Sequence, residues 1–390
     1  MLLFFKKKFF LKGIGVDTHV TDCIVVGGGI AGASAAAFLA ADRRVVLVEA
    51  EEAAGYHTTG RSAALWILNY GPADVRALTG ASRGFFEGPP AGFSEATLWS
   101  GRDVLYLAAD MAAADEVMES GVGIRRISVA AAREMVPAIR EGAVVAALVE
   151  GGTFDLDVAA LHQGFLAQVR RLGGVMALRS RTMRIERRAI PGGGGAWEVE
   201  VVGGARFRAP VVVNAAGAWG DEVAGQAGVR PLGLVPKRRT GVIIDPAPWQ
   251  PADWPALMEA RESWYGKPEA RTRLMISPAD ETPDRAHDVQ PDELDVAIAV
   301  DRMQQMLDIE VRRVERSWAG LRTFAPDGSL CFGFAPDAEG FFWCVGQGGY
   351  GIQTSPAAGR LVADLVAGRE SDWLGDCGRL VEGIRPGRFG

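Results

Sequence analysis

The sequence predicts a doubly wound α/β domain with an inserted antiparallel β-sheet domain of α+β character, and three observations carry that prediction. An apolar run, Cys23 to Val26, ends in Gly27-x-Gly29-x-x-Gly32; an Ala-rich helical pattern and a second apolar run, Val45 to Val48, follow and close on Glu49. Two later apolar runs also end in small residues: Val211 to Val213 runs into Asn214-Ala215-Ala216-Gly217, and Phe341 to Val345 into Gly346-Gln347-Gly348-Gly349-Tyr350-Gly351. The stretches between these three segments are strand-rich. The segments can share one sheet only if the intervening chain forms a second sheet of its own.

Strand, glycine turn, helix, strand is the order of a dinucleotide-binding unit. Gly27 permits the tight turn, Gly29 lets a pyrophosphate approach the backbone, and Gly32 lets the helix pack on the strand. The free N–H groups and the positive dipole end of the helix favour phosphate there. Glu49, 17 residues after Gly32, is placed to accept hydrogen bonds from a ribose. Three interleaved segments point away from a nicotinamide dehydrogenase, whose binding unit is contiguous.

Composition narrows the class. A chain of 390 residues holds about two domains or one composite domain. A net charge of −6 offers no basic field for nucleic acid. Four cysteines without a CxxC pair, and four scattered histidines, supply neither a disulfide framework nor a metal centre, and a reducing cytoplasmic setting fits them. Residues 1–19 mix apolar residues with lysines and lack the uninterrupted apolar stretch of roughly 20 residues that spans a bilayer. They read as an extension outside the fold, with loose membrane-surface association as the alternative.

The remaining elements follow in order. Gly55 to Ala64 is small, polar and turn-prone, just beyond the second strand, where an open α/β sheet presents ligands. Residues 74–87 read as a helix ended by Gly88-Pro89-Pro90. Leu98 to Ala108 and Ala143 to Val149 read as strands with an Ala- and Glu-rich helical segment between them. Val158 to Arg171 reads as a helix and Val175 to Ile185 as the start of a strand; Pro191 to Gly195 is a hairpin turn leading to Trp197 to Val202. From Gly233 to Arg322 the pattern is strand-rich with one helix at Pro291 to Asp308, and a last helix covers Ser355 to Ala367. The expected division is 20–91, 150–230 and 322–372 for the nucleotide domain, and 92–149 with 231–321 for the substrate domain.

Five motifs in this order, GGGIAGAS with Glu49, GYHTTGRSAA, VVNAAGAW, WAGLRTFAPDG and GQGGYGIQTSPAAG, resemble the FAD-dependent amine oxidoreductases of the D-amino-acid oxidase superfamily. Within it the chain is similar to the bacterial D-amino-acid dehydrogenases of the D-arginine dehydrogenase type. The resemblance implies a Rossmann-like FAD domain of the glutathione-reductase type, with no metal. By motif, Gly27, Gly29, Ala31 and Gly32 cradle the pyrophosphate, Glu49 and Ala50 meet the ribose, and Thr182 touches the adenine end. Thr58, Thr59, Gly60, Arg61, Ser62, Ala63, Ala64 and Leu65 line the flavin, with Gly217 as a further backbone approach. Gly348, Gly349, Tyr350, Gly351, Ile352 and Gln353 meet the isoalloxazine, where N–H groups at a helix start favour the negative charge of reduced flavin. Relatives that attach flavin covalently use a cysteine six residues before the Pro of a Thr-Pro-Asp-like turn; Gly320 stands six before Pro326, so FAD is expected to be non-covalent.

The same resemblance assigns the substrate carboxylate to Arg239, Tyr265 and Arg322, and the substrate-covering loop to Tyr70. A planar guanidinium suits a carboxylate because it donates two parallel hydrogen bonds. Lys237 and Arg238, beside Arg239, read as solvated neighbours. Gly349, Leu65, Met258 and Val104 complete the expected pocket. Val104 stands where D-arginine-using members place an acid, and together with Ile67 it predicts an apolar pocket for D-amino acids such as D-Leu, D-Met or D-Phe. The implied reaction is hydride transfer from Cα to flavin N5, with Tyr70, Tyr265 and Arg322 as the catalytic set, then hydrolysis of the imine to a 2-oxo acid and ammonia. No dedicated base is expected: His57, His162 and His287 fall at no catalytic motif position, and phenols titrate near about 10. The alternatives are a glycine- or sarcosine-type amine oxidase and a non-catalytic flavoprotein, and the electron acceptor, quinone or O2, stays open.

Overall fold

The computed structural model describes residues 18–189, 194–374 and 382–389. The apolar runs assemble into a six-stranded sheet in the order Val175–Ala177, Val45–Val48, Cys23–Val26, Val211–Asn214, Phe341–Val345, Cys331–Phe334. The first five are parallel and the last, joined by a short turn, is antiparallel. Cys23–Val26, Val45–Val48 and Phe341–Val345 are buried throughout, as strands covered on both faces must be. The helices Ile30–Leu39 and Gly351–Val366 cover one face and pack closely, because a Cβ on Gly359 would meet the Ser34 backbone at 2.8 Å. The three separated segments therefore do meet in one sheet, and a mixed α/β fold with further sheets is what the chain adopts.

A four-stranded sheet, Thr18–Val20, Arg206–Ala209, Gly195–Val201, Thr182–Ala189, lies against the other face. An eight-stranded sheet runs Val314–Phe324, Val235–Ile244, Arg273–Ser277, Tyr265–Glu269, Ala256–Glu259, Val104–Ala108, Ala146–Glu150, Ile124–Ile127. It is antiparallel except for the pair Ala256–Glu259 and Val104–Ala108. Leu65–Trp66, Phe154–Leu156 and Trp99–Gly101 make a small third layer.

Several boundaries differ from expectation. Thr18 and His19 belong to the fold, since Thr18–Val20 pairs in parallel with Arg206–Ala209; the rest of the expected extension, 1–17, lies outside the described residues. So do 190–193 of the hairpin turn, although the arms on either side pair antiparallel. Leu98 to Ala108 is two strands in different sheets, and Val175 to Ile185 likewise divides, at Arg179 with φ 55°. The helical segment after Ala108 also contains an extra strand, Ile124–Ile127. Among the described residues, no helix is long and apolar enough to cross a membrane.

Asp155 joins two of these sheets. Its carboxylate accepts from Lys267 Nζ at 2.7 Å and pairs with Arg102, and all three side chains are mostly buried. Replacing Asp155 by Ala strands two cations, so the denaturation midpoint should fall by the equivalent of about 3 kcal/mol. An unchanged midpoint in chemical denaturation would contradict the linking role.

Candidate active site

The glycine turn is built so tightly that side chains have no room. Gly27 has φ 108°, and a Cβ there would lie 2.4 Å from the Ala215 carbonyl oxygen. A Cβ on Gly32 would lie 1.8 Å from the Gly27 carbonyl oxygen, so the helix can start directly on the turn. The helix is capped by Gly29 without a side-chain bond. Ile30 N–H donates to Thr59 Oγ1 at 2.9 Å, while the N–H groups of Ala31 and Gly32 have no partner among the described residues. Gly28 is held at both ends: its N–H donates to Glu49 Oε2 at 2.7 Å, and its carbonyl accepts from His162 Nε2 at 2.8 Å. Burial pushes the His162 imidazole below the usual histidine range, so the neutral ring makes that bond.

A long cleft opens from this turn. Glu49, Ala50 and Thr182 line one end, Gly27, Gly29, Ala31 and Gly217 the middle, and Thr58, Thr59, Arg61, Ser62, Ala63, Gly348, Gly349, Gly351 and Ile352 the far end. Among the expected cofactor residues, Gly32, Gly60 and Tyr350 do not line the cleft, and Ala64, Leu65 and Gln353 line a second, adjoining chamber. The Gln353 amide is used internally, accepting from Ile67 N–H at 3.3 Å and donating to Thr79 Oγ1 at 2.8 Å. Arg61 lines the cleft but donates to the Val289 and Ala319 carbonyls at 3.1 and 2.9 Å. Sequence reasoning missed His57, Trp219 and Trp318 as wall residues; the His57 and Trp219 rings lie 4.6 Å apart.

The inner chamber shares Ser62, Ala63, Arg239, Tyr265, Arg322, Gly349 and Ile352 with the cleft and adds Leu65, Ile67, Tyr70 and Met258. Arg322 Nη1 donates to Tyr70 Oη at 3.0 Å and Nη2 to Tyr265 Oη at 3.3 Å. Arg322 has no carboxylate partner among the described residues. Burial alone would lower its pKa, but the two phenol oxygens outweigh that and keep it charged. Burial would raise the Tyr265 hydroxyl, yet Arg322 and Arg239 pull it below the usual phenol range. Arg239 lines the chamber with its guanidinium already engaged, donating to the Asp280 carbonyl at 2.8 Å and to Glu281 at 3.1 Å.

Three expectations need correction. Val104 does not line the chamber; it is fully buried beneath it, beside Ile67 and Met258. The chamber is not purely apolar, because Glu262 and Glu281, both missed from sequence, stand on its wall. Arg238 is no solvated neighbour: it donates to Asp295 on the helix Glu293–Met306, and Lys237 pairs with Glu281.

A family profile described as "DAO: FAD dependent oxidoreductase" matches residues 22–365. The chain belongs to the DAO family of FAD-dependent oxidoreductases. It is 31% identical over 172 residues to a glycine oxidase of Geobacillus kaustophilus, and 28% identical over 174 residues to a glycine oxidase of Pseudomonas aeruginosa. Each match covers 43% of the relative, so the chain aligns with less than half the length of these proteins. Among solved structures, glycine oxidase from Geobacillus kaustophilus superposes with a TM-score of 0.79 at 22% identity, covering 93% of this chain and 98% of the other. L-proline dehydrogenase from P. horikoshii gives 0.80 at 19% identity, covering 96% and 98%. The narrower likeness to the D-arginine dehydrogenase type is not carried by these matches, whose sequence relatives are named glycine oxidases.

The cofactor of the DAO family is FAD, and the cleft fits it. Gly27 and Gly32 clear the backbone, the N–H of Ala31 on the cleft wall, unpartnered among the described residues, suits a pyrophosphate, and the Glu49 carboxylate suits a ribose. Cys23, Cys331 and Cys344 lie off the cleft wall, and burial pushes each thiol up to about 12.

His162→Phe keeps the ring volume but removes the donor to Gly28. FAD affinity of the apoprotein should fall about tenfold, the equivalent of one buried hydrogen bond, as read by flavin fluorescence; unchanged affinity would reject the clamp. The sign with pH is also fixed. As pH falls through about 6.5, the unfolded chain takes up the proton that buried His162 refuses, so stability drops on the acid side. That acid-side drop should be shallower in the variant.

Proposed function

We propose that the protein oxidises the Cα–N bond of an α-amino acid whose carboxylate is bound by Arg322. The single observation that supports this is the Arg322 guanidinium: half-buried, facing the chamber, hydrogen-bonded only to two phenol oxygens, and without an acidic partner among the described residues. A buried, uncompensated charge is destabilising by several kcal/mol, and a planar carboxylate answers it with two hydrogen bonds. Gly349 lets the guanidinium approach, since a Cβ there would meet Arg322 Nη1 at 2.8 Å and Tyr70 Oη at 3.0 Å. In this reading Tyr70 and Tyr265, whose oxygens accept from Arg322, turn their hydroxyl protons to the substrate carboxylate and fix its plane. FAD, bound non-covalently, supplies the hydride acceptor. The protein's part is chiefly positioning, with residues 20–91, 150–230 and 322–372 holding the cofactor and 92–149 and 231–321 the substrate.

Leu65, Ile67 and Met258 give the chamber an apolar wall and support the reading of D-amino acids with apolar side chains. The alternative, glycine or a small secondary amine such as sarcosine, is favoured by the glycine oxidase relatives. An anaerobic panel of glycine, sarcosine and single D- and L-amino acids, followed by bleaching of the flavin band, decides between them. Strongest bleaching by D-Leu or D-Met supports the first reading, and by glycine or sarcosine the second. If no amine bleaches the flavin, the protein is not an amino-acid oxidoreductase. Arg322→Ala should raise KM for the active substrate at least about 100-fold, equivalent to losing a charged hydrogen-bonded pair. An unchanged KM would remove the anchoring role.

A further inference from the structure

The charged groups of the inner chamber do not cancel evenly. Arg239 is matched by Glu281 at 3.1 Å, and Glu281 also binds Lys237 at 2.8 Å. Arg322 and Glu262 are left over. Among the described residues neither has an ion-pair partner, and the Glu262 carboxylate accepts no hydrogen bond. A half-buried cation without an anion, and a carboxylate on the solvent-exposed rim of the same chamber, together match the two charges of a zwitterion.

Local structure holds Glu262 in that place. The hairpin closes on the pair Met258 and Tyr265, which sets Glu262 at its tip, just beyond the tyrosine that accepts from Arg322. Glu262 has φ 57°, a left-handed conformation that disfavours a side chain. Glu259 braces the turn: its carboxylate accepts from the N–H groups of Arg261 and Ser263 at 3.0 and 3.2 Å and from the Ser263 hydroxyl at 2.7 Å. Its carbonyl accepts from Glu262 N–H at 2.8 Å. Ala64 and Ala279, two more residues with positive φ, line the same chamber. Backbone strain of this kind gathers at working sites.

The chemistry has a need that nothing else in the chamber meets. An amino acid arrives as an ammonium, and hydride can leave Cα only once the nitrogen lone pair is free. Tyr70 and Tyr265 are engaged at the carboxylate end, and His57, in the outer cleft, is bound to Glu51 at 3.1 Å. Resting on the amino-acid reading above, we propose that Glu262 binds the substrate ammonium and takes one proton from it. One N–H bond breaks with its electron pair left on nitrogen, and one O–H bond forms on the carboxylate. No oxidation state changes in this step. The proton then leaves to solvent, to which Glu262 is exposed.

Glu262 reaches solvent, but desolvation on the side that lines the chamber raises its carboxyl above the ordinary carboxylate range, opposed by Arg239, Arg322 and Arg76 and reinforced by Glu281; the phenols of Tyr106 and Tyr350 also act on it. The acceptor form exists above that pKa, so flavin reduction should fall as pH drops through it.

The test uses FAD-loaded Glu262→Gln and stopped-flow anaerobic reduction by an amino acid that bleaches the wild type. Reduction near neutral pH should slow about 100-fold, with the gap closing in alkaline solution, where the amine is already free. Binding of acetate, a carboxylate without an amine, read from the flavin spectrum, should be unchanged. Glu262→Asp, which keeps the charge, should regain part of the rate. Unaltered reduction, a loss of equal size at every pH, or a parallel loss of acetate binding overturns the proposal. Absence of bleaching in the wild type is a different result: it rejects the amino-acid reading before any variant is compared.

Discussion

The strand Val314–Phe324 is the seam on which the site depends. It is an edge strand of the eight-stranded sheet, so one side of its backbone pairs with Val235–Ile244 and the other is free. Carbonyls on an antiparallel strand point alternately to either side, and here every second one is taken by the cofactor-binding part of the chain. Ala319 O accepts from Arg61 at 2.9 Å, Leu321 O from Thr58 at 2.6 Å, and Thr323 O from Gly348 N–H at 2.9 Å. The flavin loop and the last glycine turn are thus laid along one ladder edge. Arg322 lies between two of those carbonyls, so the proposed substrate anchor and the cleft of the last glycine turn are held on one strand.

That seam explains which parts of the site were legible in the sequence. Glycine turns, the apolar runs before them and Glu49 follow from local rules, since each works within a few residues of itself. Arg322 was legible through its motif, because the strand carrying it also carries Thr323 and Phe324 into the last turn. His162 was not: a histidine on an ordinary amphipathic helix gives no sign that its face meets the Gly28 carbonyl 134 residues away. Thr18–Val20 was set aside with the lysine-rich start because three residues carry no period of their own, and only the partner strand Arg206–Ala209 makes them a strand.

Val104 and Glu262 failed for opposite reasons. Val104 was placed in the chamber by the resemblance, as the position where D-arginine-using members carry an acid, yet the strand Val104–Ala108 is buried in every residue and runs beneath the chamber wall. Glu262 looks like any charged residue in a short turn. What sets it on the exposed rim of the chamber is a left-handed backbone braced by Glu259, and neither side-chain bonds to a turn nor a positive φ at a glutamate can be read from composition or period. The polar character of the chamber therefore emerges only when the hairpin is closed.

The two arginines show how the chamber discriminates between its own groups. Arg239 and Arg322 could each take a carboxylate, but Arg239 already donates to Glu281 and to the Asp280 carbonyl, so a substrate would gain there only by displacing an existing charged bond. Arg322 holds two neutral oxygens, each worth roughly 1.5–3 kcal/mol as a hydrogen bond to a charged group, which offsets only part of the desolvation of the guanidinium. The remaining deficit is what a carboxylate can relieve on binding. Because Tyr70 and Tyr265 accept from Arg322 while keeping their own protons, a carboxylate bound as proposed would find donors from three side chains at once. An ammonium would find none of these favourable, and in the proposal the acid it approaches is Glu262, since Glu281 is already matched. On the proposed amino-acid reading, this arrangement would orient a zwitterion by charge before any contact with its side chain is made.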